Sequence, residues 1–153
     1  MVARSSTEMI KALNHVGISV ADLERSLCFY RDGFDMRVVE NQPFGGSRYD
    51  QLLGLSNAIG RTAVLERPNF QVELFEFHHP SPLPMAPSRP VSNHGISHFC
   101  LEVEDIHSVY ERLRLAGASF HCPPLRFAGI ATATYGRDPD GNVFELIEMT
   151  ESL

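Results

Sequence analysis

The sequence predicts an α+β fold assembled from two β-α-β-β-β modules, on the strength of an internal repeat, one amphipathic helical stretch per copy, and a proline-rich join between copies. The segment "HVGISVADLERSLCFYRDGFDMRVV", from His15, runs parallel to "HFCLEVEDIHSVYERLRLAGASFHC", from His98. His15 aligns with His98, Val20 with Val103 and Asp22 with Asp105 at one constant offset, and Gly33 aligns with Gly117 after one inserted residue.

Each copy opens on a short strand of alternating apolar residues that ends at an aspartate, Asp22 or Asp105, able to cap the first N–H groups of a helix. The first helix carries Leu23, Leu27, Tyr30 and Phe34 along one stripe, and the second carries Ile106, Val109, Tyr110 and Leu113, so both are expected to lie on a sheet. Gly33 and Gly117 stand where a left-handed residue lets the chain leave its helix, and the strands "FDMRVVE" and "ASFHC" follow. "RTAVLER" and "FQVELFEF" complete the first copy; "IATATYG" and "NVFELIEM" complete the second. The turn "RDPDG" introduces the last strand, with Pro139 setting φ and Gly141 supplying a permissive backbone. The stretch from Phe44 to Ala58 is an excursion with one short helix around Tyr49 to Leu53. The expected organisation is a tail over 1–12, a first module over 13–77, a proline-rich linker over 78–94 and a second module over 95–153, together one domain.

A chain of 153 residues with 43% hydrophobic content can bury a core without staples. The three cysteines, Cys28, Cys100 and Cys122, are odd in number and widely spaced, which fits reduced thiols in a cytoplasmic protein. The start "MVARSSTEMIKALN" lacks the apolar run of a signal peptide, and no later run approaches the ~18 apolar residues of a membrane span. A net charge of -6 without a basic cluster argues against nucleic acid or a membrane as partner and leaves a small-molecule substrate as the expectation.

Alternate side chains of a strand share a face, so His15 keeps company with Gly17 and Ser19 while Val16, Ile18 and Val20 face the helix. His98 likewise looks away from Phe99, Leu101 and Val103. The same face carries Gln71, Glu73, Phe75 and Phe77 in one closing strand and Val143, Glu145 and Ile147 in the other, which makes Glu73 and Glu145 the matching acids. A lone histidine in an apolar strand is more often structural than functional. Two histidines and two carboxylates related by a repeat can instead hold one divalent metal ion, nickel, zinc, iron, cobalt or manganese, whose charge two carboxylates balance. Without a cation, bringing two carboxylates together under cover is costly.

On "LNHVGISVADLERSLCFYRDGF", "VELFEF", "HGISHFCLEVEDI" and "DPDGNVFELIE", the chain resembles the vicinal oxygen chelate superfamily from roughly Leu13 to Met149. That superfamily includes glyoxalase I, methylmalonyl-CoA epimerase, extradiol dioxygenases and bleomycin- or fosfomycin-resistance proteins. The resemblance implies a curved half-barrel of mixed sheet with helices outside. It implies metal ligands at His15, Glu73, His98 and Glu145, and a metal that chelates two neighbouring substrate oxygens. It also implies a homodimer, in which the site is closed within one chain or shared between two. Extradiol dioxygenases use two histidines and one glutamate, and the epimerases commonly have glutamine where Glu73 stands, so the set is most similar to glyoxalase I. The implied activity is that of a lyase or isomerase/epimerase moving a proton next to a carbonyl, with Glu145 or Glu73 as the base. The alternatives are an Fe(II) extradiol-type dioxygenase in which Glu73 is not a ligand, and a non-catalytic drug-binding resistance protein.

Other residues carry weaker signals. His78, His79 and His94 flank the linker and read as solvated, His107 as exposed beside its cap, and His121 as a strand residue without a partner. Cys100 shares the face of His98, and Phe44, Arg48, Tyr49, Arg61, Phe75, Arg126, Phe127 and Tyr135 are candidates for lining a pocket.

Overall fold

A computed structural model describes residues 9–150; residues 1–8 of the expected tail and 151–153 lie outside the described residues. The first half of the chain runs β1 (Val16–Ser19), α1 (Leu23–Cys28), a π-helical turn over Phe29–Gly33, β2 (Arg37–Gly45), α2 (Ser47–Leu53), β3 (Ile59–Arg67) and β4 (Phe70–His79). The second half runs β5 (Phe99–Glu102), α3 (Ile106–Ala116), β6 (Ser119–Phe120), β7 (Leu125–Phe127), β8 (Ala131–Arg137) and β9 (Val143–Met149). The strands form two sheets, ordered β1-β4-β3-β2 and β5-β9-β8-β6, with β7 also paired to β8. In each sheet the opening strand lies parallel to the closing one, which requires the helical crossover between them, and the remaining pairs are antiparallel. The mixed α+β class and the repeated strand–helix–strand order are those expected; β7 is an addition.

Both aspartates cap as anticipated. Asp22 accepts from the Arg25 N–H at 2.9 Å, and Asp105 accepts from the Ser108 N–H at 3.2 Å. The stripe Leu23, Leu27, Tyr30 and Phe34 is buried, as are Ile106 and Leu113. Gly117 ends α3 in the left-handed region, at φ 110. Gly33 does not repeat this role. A Cβ at Gly33 would lie 2.7 Å from Cδ2 of Leu113, so the glycine is needed for close packing between the halves. The left-handed step falls on Asp35 instead, at φ 53, because the chain leaves α1 through the π-helical turn.

The helix-facing sides of both sheets meet in one apolar core. Ile18, Val72 and Leu74 from the first sheet and Phe144 and Leu146 from the second belong to the same buried cluster as Leu23, Leu27, Ile106 and Leu113. Phe34 stands edge-on to Phe144 with ring centroids 5.1 Å apart. The "RDPDG" turn does more than reverse the chain. The Tyr30 hydroxyl donates to Asp138 Oδ2 at 2.9 Å, and Asp140 accepts from the Arg25 guanidinium at 2.6 Å and from the Ala21 N–H at 3.3 Å. These bonds dock the second half on the first helix. The linker lies on the same turn, since Arg137 donates to the Arg89 carbonyl at 2.7 Å and a Cβ at Gly141 would meet Pro87 Cα at 3.0 Å.

Burial holds the Asp138 carboxyl above its ordinary range despite its hydrogen bonds from Asn142, Tyr30 and Asp140. The folded chain therefore binds this proton more readily than the unfolded chain. Stability from this group is present at low pH and is lost as pH rises from the ordinary aspartate value through the raised folded one, then stays level. Urea denaturation across pH 4 to 7 should show the stability of wild type relative to Asp138→Asn falling as pH rises; a constant difference would remove the effect. Tyr30→Phe should cost about 1–3 kcal/mol at neutral pH by leaving the buried carboxylate without its hydroxyl donor.

Candidate metal centre

Strand register places the two histidine–glutamate pairs equivalently. Gly17 of β1 lies opposite Glu73 of β4, and Cys100 of β5 lies opposite Glu145 of β9. His15 and His98 each immediately precede their opening strand, so each ring reaches its glutamate across the parallel pair. His15 Nε2 is 3.1 Å from Glu73 Oε2, and His98 Nε2 is 3.1 Å from Glu145 Oε2. The other ring nitrogens are also held: His15 Nδ1 lies 2.7 Å from Asn14 Oδ1, and His98 Nδ1 lies 2.9 Å from Ser97 Oγ. Thr62 donates its hydroxyl to Glu73 Oε1 at 3.4 Å, and the Tyr135 hydroxyl is 3.4 Å from His98 Nε2.

The four expected ligands are thus brought together as two pairs, not as one set. Among the described residues, no group of three or more histidine, cysteine, aspartate or glutamate side chains closes around one point. Glu73 alternates with the core residues Val72 and Leu74, and Glu145 with Phe144 and Leu146, so both pairs point away from the shared core. They lie on open faces, and none of the four residues borders either of two clefts on the surface. A cleft of about 620 Å³ runs beside the first face, bordered by Asn14, Arg37, Glu66, Arg67 and Gln71. A second, of about 470 Å³, is bordered by Ser47, Asp50, Asn57 and His79.

The surroundings of the two pairs differ. Beyond Glu73, Phe75 and Phe77 stack at 5.7 Å, and Phe44 packs edge-on against both, at 5.6 and 5.3 Å, with Tyr49 beside it. Gly60 makes room for this aromatic face: a Cβ there would lie 2.8 Å from the Phe44 ring and 2.1 Å from the Glu76 carbonyl. Beside Glu145 stand Cys100 and Tyr135. Burial and the neighbouring Glu145 push the Cys100 thiol up to about 12, so it is a neutral thiol rather than a nucleophile at physiological pH. Burial and Glu145 likewise raise the Tyr135 phenol.

Several expectations about flanking residues need correction. His121 has partners: its ring stacks on Tyr135 at 6.2 Å, and its Nε2 accepts from Arg137 Nε at 3.1 Å; burial and Arg137 lower its pKa. Arg61 does not line the glutamate face, because it reaches to the helix side, pairing with Glu24 at 2.8 Å and with Asn41 at 3.1 Å. Arg126 alternates away from Leu125 and Phe127, and Arg48 lies exposed in the first turn of α2. His78 lies 3.5 Å from Glu76, and His79 lies 2.9 Å from the Asn57 carbonyl. Asn14, Ser97 and Thr62 are hydrogen-bonded neighbours of the two pairs that the sequence reading passed over. The repeat carries a signal for the first two, each directly preceding one of the paired histidines.

A family model described as Glyoxalase/Bleomycin resistance protein/Dioxygenase superfamily matches residues 12–146. A lactoylglutathione lyase of Arabidopsis thaliana is 28% identical over 137 residues, covering 88% of this chain and 43% of its own length. The chain therefore spans less than half the length of that plant relative. An ethylmalonyl-CoA/methylmalonyl-CoA epimerase of Cereibacter sphaeroides is 30% identical over 119 residues, covering 72% of this chain and 74% of its own. Among solved structures, a glyoxalase family protein from Bacillus cereus shares the fold with a TM-score of 0.85 at 20% identity, covering 95% of this chain and 98% of the other.

The aromatic face depends on Gly60. Gly60→Ala should cost about 1–3 kcal/mol in chemical denaturation, because its methyl group meets backbone and a buried ring. Gly17→Ala, with nothing within 4 Å of the added carbon, should stay within about 0.5 kcal/mol of wild type.

Proposed function

Because the chain belongs to the Glyoxalase/Bleomycin resistance protein/Dioxygenase superfamily, we propose that it is a divalent-metal-dependent lyase or isomerase moving a proton next to a carbonyl, with each metal shared between two copies of the chain. The observation that carries this reading is the recurrence of one histidine–glutamate pair at equivalent strand positions, 3.1 Å apart in both halves, on faces turned from the common core. One pair is half of a four-donor set. A two-fold dimer that sets the first-half face of one copy against the second-half face of another joins His15 and Glu73 to His98 and Glu145, and does so twice.

The donor chemistry fits such an ion. Each histidine presents Nε2 beside a carboxylate oxygen, and two imidazoles with two carboxylates suit nickel, zinc, iron, cobalt or manganese. His15, Glu73, His98 and Glu145 would hold such an ion, which when bound would supply Lewis-acid polarisation of the substrate oxygens and so would acidify the neighbouring C–H bond. Glu73 or Glu145 takes that proton and returns it to the neighbouring carbon, acting as base and then acid. The Thr62 hydroxyl donates to the Glu73 carboxylate, and the Phe44, Phe75 and Phe77 rings form an apolar surface next to it on the same sheet.

The relatives named as lactoylglutathione lyase and as epimerase support a lyase or isomerase acting on a small molecule. Exposed apolar side chains support a second copy as the cover: Ile96, two residues before His98, is 88% exposed, and Phe127 on β7 is 53% exposed. No helix among the described residues is long and apolar enough to cross a membrane.

Metal analysis of wild type, Glu73→Ala and Glu145→Ala tests the ligand set. Wild type should carry one divalent ion per chain, and each variant should bind at least about 100-fold more weakly. Co-refolding the two variants tests the sharing. Random pairing makes half of the dimers mixed, each with one intact site, so about a quarter of the wild-type metal sites and of deuterium exchange into an α-hydroxy carbonyl probe should return. No recovery on mixing would place the site within one chain, and undiminished metal in both variants would end the metal reading.

A further inference from the structure

Resting on that reading of the two pairs, we infer that Asn14 and Ser97 are positioning residues that select the metal-binding form of His15 and His98. A neutral imidazole carries one proton, and whichever nitrogen holds it cannot be a ligand. Nε2 of each ring faces its glutamate at 3.1 Å, so Nε2 is the nitrogen that must be left with its lone pair. The residue immediately before each histidine places an oxygen at the opposite nitrogen: Asn14 Oδ1 is 2.7 Å from His15 Nδ1, and Ser97 Oγ is 2.9 Å from His98 Nδ1. Each oxygen accepts the Nδ1 proton, holds the ring plane and presents the Nε2 lone pair on the glutamate face.

The two halves reach this arrangement with different residue types, which argues that the acceptor oxygen matters and the side chain carrying it does not. Stability does not explain the Asn14–His15 bond, although the Ser97–His98 bond is partly buried. Asn14 and His15 are exposed, and a hydrogen bond between exposed neighbours adds little to folding. Without an acceptor at Nδ1, the favoured ring form donates from Nε2 to the glutamate, closing both donors of the pair against a cation. The two residues also differ in selectivity. The Ser97 hydroxyl can rotate to donate or accept and so serves either ring form, whereas Asn14 must turn its whole amide. Asn14 is therefore the stronger selector.

Zinc affinity of the full-length chain, measured by chelator competition, tests this without recourse to activity. Asn14→Leu should weaken zinc binding about 10–100-fold and Ser97→Ala by less, with unchanged thermal midpoints. Asn14→Asp and Ser97→Thr, which keep an acceptor oxygen, should restore binding to within a few-fold of wild type. In zinc-loaded wild type, ¹⁵N NMR should show a proton on His15 Nδ1 protected from solvent exchange, and Asn14→Leu should lose that protection. Wild-type affinity in Asn14→Leu and Ser97→Ala, alongside lost affinity in Glu73→Ala, would overturn the positioning role and leave the metal centre standing. Wild-type affinity in Glu73→Ala as well would overturn the metal centre itself, and this inference with it.

Discussion

The buried carboxyl of Asp138 is the constraint from which the arrangement of the two halves follows. It accepts hydrogen bonds from the Tyr30 hydroxyl, the backbone N–H groups of Asp140 and Asn142, and the Asn142 side chain. A carboxyl taken from water needs such a complete set, since each missing partner costs its full desolvation. Three of the four donors come from its own turn, and the fourth comes from the other half of the chain. The π-helical turn that follows α1 places Phe29 and Tyr30 in the core, where Tyr30 can reach the turn. Leu113 packing against Gly33 and Phe34 standing against Phe144 complete the joint.

That joint decides where the polar faces go. With the apolar sides of both sheets spent on one core, strand alternation leaves each histidine–glutamate pair on an outward face. The pairs are not there for stability. His15 is 42% exposed and Glu73 24%, with His98 and Glu145 more covered at 26% and 17%, and a contact as open to water as the first is worth about 0–1 kcal/mol at most. A pair built twice at the same strand positions, and held at the far ring nitrogen each time, is on the proposed reading accounted for by the ion it would bind.

The internal repeat made most of the fold legible. The capping aspartates and the two buried helical stripes depend on local periodicity, which a single sequence records well, whereas the parallel pairing of opening and closing strands joins segments distant in the chain and appears only in the structure. The faces of Glu73 and Glu145 were legible for the same reason, because period-two alternation fixes a strand residue's side once its neighbours are known to be buried. Gly33 was misread because its role is set by Leu113, which is distant in the chain, and the left-handed step it was expected to supply moved to Asp35. Arg61 could be read only as a candidate for the pocket because a single step of strand register decides its side, and the pairing of β3 with β4 turns it to Glu24 on α1. His121 found Arg137 and Tyr135 only through the pairing of β6 with β8.

The separation of the four ligands into pairs has the same physical origin and bears on how the proposed centre is completed. Closing Glu73 and Glu145 on one another within a single chain would require one sheet to turn its outer face inward. That rotation would separate Phe34 from Phe144, draw the Tyr30 hydroxyl from a buried carboxylate and expose Leu113 and Leu146, which are fully buried. Losing one such buried polar contact and one large apolar contact already costs several kcal/mol, comparable to the whole stability of a domain this size. On the proposed reading, a second copy would supply the missing half without disturbing the core. The outward faces also carry exposed apolar residues, Ile96 and Phe127 among them, whose burial favours that association. The interactions that make one chain fold thus leave its histidine–glutamate faces apart, and on the proposed reading assembly becomes part of the chemistry.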